Sequence, residues 1–300
     1  MSSPTAVTTV TATDGVVLAV HRYTEIDPAR PTILAIHGYP DNHHVWDGVA
    51  EDLSSRFNVV AYDVRGAGDS GEPADRSGYL FPQLVADANA VIDHLGVDQV
   101  HLLAHDWGSI QGWAVVTDPA VMPKIASYTS ISGPNLAYAG KFLRSARDAR
   151  SLVDIAKQGL ASYYTLLFQA PKVPELFWRS KWGPRLLTNL ERIGRRGPAS
   201  QSVPRTERDY VNGVNLYRAN MPGSFLNPPA DPPRTTVPVQ LVIPSMDMFV
   251  TPALQRFHAG FTDGGRVVPI EGGHWVVTAD PEVIARLTTE WVDATDAARD

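Results

Sequence analysis

The residues with the clearest chemistry are Ala104-His105-Asp106-Trp107-Gly108. An apolar run, Val97-Asp98-Gln99-Val100-His101-Leu102-Leu103, precedes them and reads as a buried strand. Ser109-Ile110-Gln111-Gly112-Trp113-Ala114-Val115-Val116 follows and reads as a helix start. A small-x-nucleophile-x-small turn between strand and helix is a nucleophile elbow, and small residues flank it because the turn is tight. Its usual centre is Ser; here it is Asp106. A Ser that attacks a saturated carbon forms an ether, which activated water does not readily cleave. A carboxylate forms an ester whose carbonyl belongs to the protein, and water can reopen it there. Asp106 therefore points to an electrophile with a saturated carbon and a leaving group, an epoxide or an alkyl halide. A strand-to-helix turn in which Asp merely caps the helix gives the same five residues, so the partners must decide.

An ester on Asp106 needs an acid–histidine pair to activate water. Val239-Gln240-Leu241-Val242-Ile243-Pro244-Ser245-Met246-Asp247 places Asp247 just past a strand, at the sheet edge where α/β sites form. Val267-Val268-Pro269-Ile270-Glu271-Gly272-Gly273-His274-Trp275 places His274 in a Gly-rich loop after the last strand. Asp247 would hold the His274 tautomer, and His274 would draw the proton from water. Read singly, Asp247 is also a turn residue and His274 a loop histidine. Asp263 also precedes His274, but its Thr-Asp-Gly-Gly setting reads as a turn, so it is a rival of lower rank. The tetrahedral adduct carries negative charge and needs donors. His37-Gly38-Tyr39-Pro40 follows a strand, and the backbone amides of Tyr39 and Trp107 are the expected pair. His37 reads as structural rather than catalytic. The wall of a substrate pocket is expected to draw on His37, Trp107, Phe168 and Trp275.

The elements that would position these residues alternate. Val7–Thr13 and Val16–Tyr23 flank Asp14-Gly15, a hairpin signal. Thr32–Ile36, Val59–Tyr62, Val100–Ala104, Ile125–Ile131, Val237–Ile243 and Arg266–Ile270 read as further strands. Helical patterns occupy Val45–Leu53, Phe81–Leu95 and Pro281–Ala294; in the second, Leu84, Val85, Ala88, Val91, Ile92 and Leu95 share a face. The expected fold class is α/β: a mostly parallel, eight-stranded sheet with an antiparallel start and helices on both faces.

One stretch breaks the alternation. Residues 134–236 hold 16 of the 26 Lys and Arg but seven of the 32 Asp and Glu, giving about +9 against about −15 elsewhere. They also hold Tyr163, Tyr164, Phe168, Phe177, Trp178 and Trp182, and are bracketed by prolines. They read as a helical cap inserted between two core parts, 1–133 and 237–300. Its charge fits a solvated helical surface, or attraction to anionic substrates or a lipid surface.

Composition excludes other classes. A formal charge of −6 gives no general case for nucleic acid, and zero cysteines leave no disulfide or thiol chemistry. Neither a signal peptide nor a membrane span is visible, so a cytoplasmic protein, monomer or homodimer, is expected. The polar tail Asp296–Asp300 reads as a boundary, or a point where a longer chain continues. Gly66-Ala67-Gly68-Asp69-Ser70-Gly71 matches G-x-G-x-x-G, but Glu72-Pro73-Ala74-Asp75 follows where a dinucleotide site needs a helix. His43 and His44 are adjacent and H-E-x-x-H is absent, so neither a cofactor nor a metal is expected.

The sequence resembles the epoxide hydrolase branch of the α/β-hydrolase superfamily. The resemblance rests on His37-Gly38-Tyr39-Pro40, Asp63-Val64-Arg65-Gly66-Ala67-Gly68-Asp69-Ser70, His105-Asp106-Trp107-Gly108, Asp247 and Gly273-His274-Trp275. Ala104 stands where Gly is commoner. The resemblance implies two cap tyrosines that donate hydrogen bonds to the ring oxygen. Asn215-Leu216-Tyr217-Arg218-Ala219-Asn220 matches the N-x-Y-R-x-N motif, which selects Tyr217. Tyr164 stands four residues before Phe168-Gln169-Ala170-Pro171 and is the implied partner, with Tyr163 as its neighbouring alternative. Aromatic packing inside the cap would account for either. The implied activity converts a small-molecule epoxide to a vicinal diol, in detoxification or lipid metabolism; a bulky, lipid-like epoxide with an acid group would suit the cap. The alternatives are a haloalkane dehalogenase with the same Asp106, the hydrolase half of a longer protein joined to a reductase, and a silent module that binds an apolar ligand.

Overall fold

The computed structural model describes residues 3–194 and 203–299. Eight strands form one sheet: β1 (Ala6–Thr11), β2 (Val17–Arg22), β3 (Thr32–Ile36), β4 (Asn58–Tyr62), β5 (Val100–His105), β6 (Ile125–Ile131), β7 (Val239–Pro244) and β8 (Arg266–Ile270). Their order is β1-β2-β4-β3-β5-β6-β7-β8. β1 pairs antiparallel with β2 and β2 antiparallel with β4; all later pairs are parallel. The hairpin turns at Gly15, whose φ of +88° suits glycine. β3 to β7 are buried along their whole length, as strands covered on both faces must be. β1 and β8, at the two edges, alternate or stay half-exposed.

Two apolar layers cover the sheet. On one face lie α2 (Phe81–Leu95) and α3 (Trp107–Thr117), bringing Leu84, Val91, Trp113 and Val116 into the core. On the other lie α1 (Asp47–Leu53) and, at the C-terminus, α12 (Pro281–Asp296), bringing Val49, Leu53, Ile284 and Val292. Each such fully buried side chain contributes about 1.5–3 kcal/mol of transfer free energy. The face predicted for Phe81–Leu95 is the buried one, and Gly96, at φ +66°, ends that helix. The helix expected from Val45 starts instead as a tighter 3₁₀ turn, His43–Trp46, where the Asn42 side chain accepts from His44 N–H.

Between β6 and β7 come α4 (Leu136–Phe142), α5 (Ala149–Ala161), α6 (Tyr164–Gln169), α7 (Val173–Arg179), α8 (Trp182–Leu190) and α9 (Glu207–Asn220). After β7 follow α10 (Pro252–Phe257), β8 and a short α11 (Val276–Ala279) before α12. The inserted helices lie over the C-terminal ends of the parallel strands, where Asp106, Asp247 and His274 emerge.

Candidate active site

β5 ends at His105, and α3 begins at Trp107. Asp106 between them takes φ +52°, ψ −123°. A non-glycine residue there costs about 1–3 kcal/mol and persists only where its surroundings hold it. Asp106 N–H donates to Ile131 O at 3.0 Å, and Asp106 O accepts from Ile110 N–H at 2.9 Å. A Cβ on Gly108 would stand 2.2 Å from Ile36 O, and one on Gly38 would stand 2.4 Å from Asp106 Cβ. The small residues around the elbow thus let three chain segments close on one carboxylate.

That carboxylate is held at both oxygens. Tyr39 N–H donates to Oδ1 at 2.7 Å, and His274 Nε2 lies 3.4 Å from Oδ2. On its other side, His274 Nδ1 is 3.1 Å from Asp247 Oδ1. Asp247 is fixed in turn by Phe249 N–H at 2.9 Å and Val250 N–H at 3.0 Å. His105 Nε2 lies 2.9 Å from the His274 carbonyl and steadies the loop from below. Asp263, the rival acid, is on the surface against Arg234 at 3.2 Å. The Trp107 amide opens α3 and makes no hydrogen bond to Asp106 in this state.

Electrostatics follow from this packing. Burial opposes a charged His274, but the carboxylates of Asp247 and Asp106 outweigh it and lift its pKa to about 10. Burial likewise opposes ionised Asp247, and His274 with two backbone amides outweighs it, holding that pKa below the usual range. The resting pair is therefore a carboxylate beside an imidazolium.

Above Asp106 are the two phenols. Tyr164 and Tyr217 meet edge to face with ring centroids 5.9 Å apart. Burial first, then nearby anionic groups including Asp106, push both phenols above their ordinary range, so both keep their protons. Phe168 wedges against both rings, at 4.9 Å from Tyr217 and 5.4 Å from Tyr164. Tyr163 is 60% exposed at the rim and does not share this setting.

Asp106, His274, Tyr164 and Tyr217 line an apolar cavity of about 820 Å³, with Phe168 and Trp275 in its wall. Leu160, Leu167, Val173, Phe177 and Leu186 lead out to solvent, and among the described residues Lys157 is the one charged wall residue besides Asp106 and His274. A second chamber of about 40 Å³ lies on the far side of Asp106, between Leu136, Leu143 and Phe225. Trp107 faces this small chamber and packs on Tyr217 at 4.8 Å, not on the large cavity. His37 lies outside the lining of both: its Nε2 accepts from Val64 N–H at 2.9 Å, tying the segment after β3 to that after β4.

Several positioning residues were not foreseen. Arg218 donates to Phe168 O at 2.8 Å and to Ala170 O at 2.8 Å, and pairs with Glu175, binding α9 to α6 and α7. Asn220 donates to Tyr79 O at 2.8 Å and accepts from Phe81 N–H at 3.1 Å. Buried Asp209 accepts from Gly68 N–H at 2.7 Å, and Asn212 donates to Gly66 O at 3.0 Å. The glycine-rich loop set aside above is thus the seat of α9, and the next α-helix opens only at Phe81. Gln158 of α5 donates to Phe249 O at 2.9 Å and accepts from Thr251 N–H at 2.8 Å, bracing the loop that carries Asp247. His21, His43 and Asp63 form a buried cluster spaced like metal ligands. The Asp63 oxygens already accept from His43 N–H at 2.8 Å and Asp69 N–H at 2.9 Å, besides both rings, so the donor set is internally consumed. No described helix is long and apolar enough to cross a membrane.

Comparison with known proteins agrees with this architecture. Residues 31–281 match the alpha/beta hydrolase fold family. A protein of Mycobacterium tuberculosis named "Probable oxidoreductase EphD" is 35% identical over 307 residues, 96% of this chain and 49% of that protein. The chain thus spans about half the length of that relative. Epoxide hydrolase 4 of Mus musculus is 25% identical over 288 residues, 90% of this chain and 75% of that protein. The structure of a Bacillus megaterium epoxide hydrolase with an inhibitor superposes with a TM-score of 0.78 at 20% identity, covering 95% of this chain and 100% of that one. With its sheet order, its elbow and a family match over most of its length, the chain belongs to the α/β-hydrolase fold family.

Proposed function

We propose that the chain is an epoxide hydrolase that converts an epoxide and water to a vicinal diol through an ester on Asp106. One observation carries the reading: a buried carboxylate, held by Tyr39 N–H and facing His274, lies beneath two protonated phenols. Asp106 attacks a ring carbon and the C–O bond opens. Tyr164 and Tyr217 donate to the departing oxygen, which is too basic to leave unassisted. Esterification removes the Asp106 charge, and with it much of what keeps His274 protonated. The proton the alkoxide gains balances the one His274 loses. Neutral His274, oriented by Asp247, then takes a proton from water, which attacks the Asp106 carbonyl. The amides of Tyr39 and Trp107 hold the oxyanion. Collapse releases the diol and restores carboxylate and imidazolium.

In this reading residues 134–236 are the cap over a core made of 1–133 and 237–300. Phe168 and Trp275 flank the substrate. The large apolar cavity with Lys157 in its wall suits a bulky, lipid-like epoxide carrying an acid group, and the 40 Å³ chamber suits a short substituent on the other ring carbon. The test is diol formation from styrene oxide and a long-chain epoxide, with Asp106→Ala as control and intact mass of His274→Gln as the trap. Diol that depends on Asp106, and an adduct of substrate mass on the His274 variant, are expected. A variant that binds substrate without forming an adduct removes the covalent route.

A second reading has one observation behind it. The buried Trp107 indole N–H has no hydrogen-bond partner among the described residues, and such a donor could hold a halide. Chloride release from a chloroalkane, with no diol from any epoxide, would make the chain a dehalogenase.

A further inference from the structure

Large apolar side chains are exposed in an uneven way. Of the nineteen among the described residues, twelve lie between Leu152 and Ile193, on α5 to α8 and just beyond. They follow helix faces. Val153 stands one turn before Lys157 and two before Leu160; Trp182 stands one turn before Leu186; Leu176 lies one turn after Val173. Leu160, Val173 and Leu186 also line the outer cavity, so the apolar surface runs without a break into its mouth. Exposure is high, at 75% for Leu160, 66% for Trp182 and 65% for Leu176. A contiguous patch of this kind marks an interaction site.

Charge identifies the partner. Lys172 and Lys181 at the N-caps of α7 and α8, Arg185 on α8 and Arg192 just past it are exposed and form no ion pair among the described residues. The inserted segment carries about +9 and the rest of the chain about −15. Near an anionic surface this polarisation turns the segment towards the surface and the remainder away. Two copies meeting through the same face would set these cations against each other.

We propose that the α5–α8 face is a docking surface for an anionic lipid bilayer, with the cavity mouth turned to the acyl boundary. Apolar groups enter the interface while lysine and arginine meet the headgroups. The docking claim stands apart from the chemistry; that an apolar epoxide enters from the bilayer rests on the function proposed above.

The experiment is co-sedimentation of the full chain with vesicles of phosphatidylcholine, and of phosphatidylcholine mixed with phosphatidylglycerol. Val153→Glu/Leu176→Glu/Trp182→Glu removes apolar contacts outside the cavity wall, and Lys172→Glu/Lys181→Glu/Arg185→Glu reverses the charge. Wild type is expected on the mixed vesicles, released by salt, with each triple variant about a hundredfold weaker. Turnover of dissolved styrene oxide reports that both variants are folded, and circular dichroism does so if that turnover is absent. No binding to the mixed vesicles, or binding indifferent to both folded variants, overturns the proposal. So does self-association in sedimentation that the apolar variant abolishes while vesicle binding is absent, since the face would then be an interface between copies.

Discussion

The two halves of the site answer the same burial in opposite ways. The half built by strand ends holds charge: His274 lies between Asp106 and Asp247, and for His274 and Asp247 the attraction of partner charges outweighs the cost of desolvation. The half built by the helices between β6 and β7 holds neutral groups: Tyr164 and Tyr217 are buried among aromatic and aliphatic side chains with Asp106 below them, so burial keeps their protons in place. On the proposed mechanism, this contrast gives one pocket both a nucleophile and a proton donor. Ionised groups sit where backbone amides and partner charges converge, and the donors sit where neither does.

Removing both phenols should have the largest effect on turnover. Tyr164→Phe/Tyr217→Phe leaves the charged half intact and the leaving oxygen without a donor. Diol formation should fall by about 10⁴, and by about 10² for either single variant, as for donors aimed at a developing oxyanion. Steady-state rates on one epoxide, with intact mass to show whether the ester forms, check this. One single that matches the double, with the other near wild type, would mean that one phenol carries the whole load.

The charged half is tested by titration. In Asp106→Asn, His274 loses one of the two anions that hold its proton, so its pKa should fall below about 10 towards the ordinary histidine range. The imidazole signals in NMR report it. The sign carries over to stability. A histidine whose folded pKa exceeds its unfolded value of 6.5 stabilises fully below pH 6.5, and that contribution fades as pH rises towards 10. Urea unfolding at pH 6, 8 and 10 should show the decline in the wild type and a smaller one in Asp106→Asn.

The charged half was also the more legible in sequence. Asp106 and Asp247 follow apolar runs that form buried strands, His274 follows the half-exposed edge strand β8, and strand ends at one edge of a parallel sheet meet in space. Tyr164 and Tyr217 were legible only through resemblance, because nothing local in a helix says which face looks into a cavity. What holds the helices was not legible at all. Asp209 meets Gly68 across 141 positions, and Gln158 meets Phe249 across 91, and such pairings leave no periodic trace. His37 reads in the sequence as structural and as part of a pocket wall, and only the fold shows its ring turned to Val64.

The inserted half is itself uneven, and Asp209→Ala sharpens this. α9 is bonded directly to the core, with Asp209 accepting from Gly68 N–H, Thr206 N–H and Asn42. Truncation leaves buried Asn42 and two partly covered amides without their acceptor and should cost about 1–3 kcal/mol in urea unfolding. Diol formation should fall with it as Tyr217 loses its fixed distance from Asp106.

The smallest effect should come from the joint between α9 and the exposed helices. α6 and α7 reach the core largely through α9, by Arg218 on Phe168 O, Ala170 O and both oxygens of Glu175. The guanidinium serves all of these at once because it is planar and forked. Lysine keeps the charge but cannot make the two-pronged contact. Arg218→Lys should therefore cost about 1 kcal/mol of stability and lower diol formation about tenfold, chiefly in kcat, since the cavity wall stays while Tyr164 loosens. The informative control is the same substitution in Tyr164→Phe. If Arg218 acts by placing the Tyr164 hydroxyl, Lys at 218 should change little once that hydroxyl is gone. If the two losses multiply instead, Arg218 steadies Tyr217 as well, and the two inserted tyrosines share a single support.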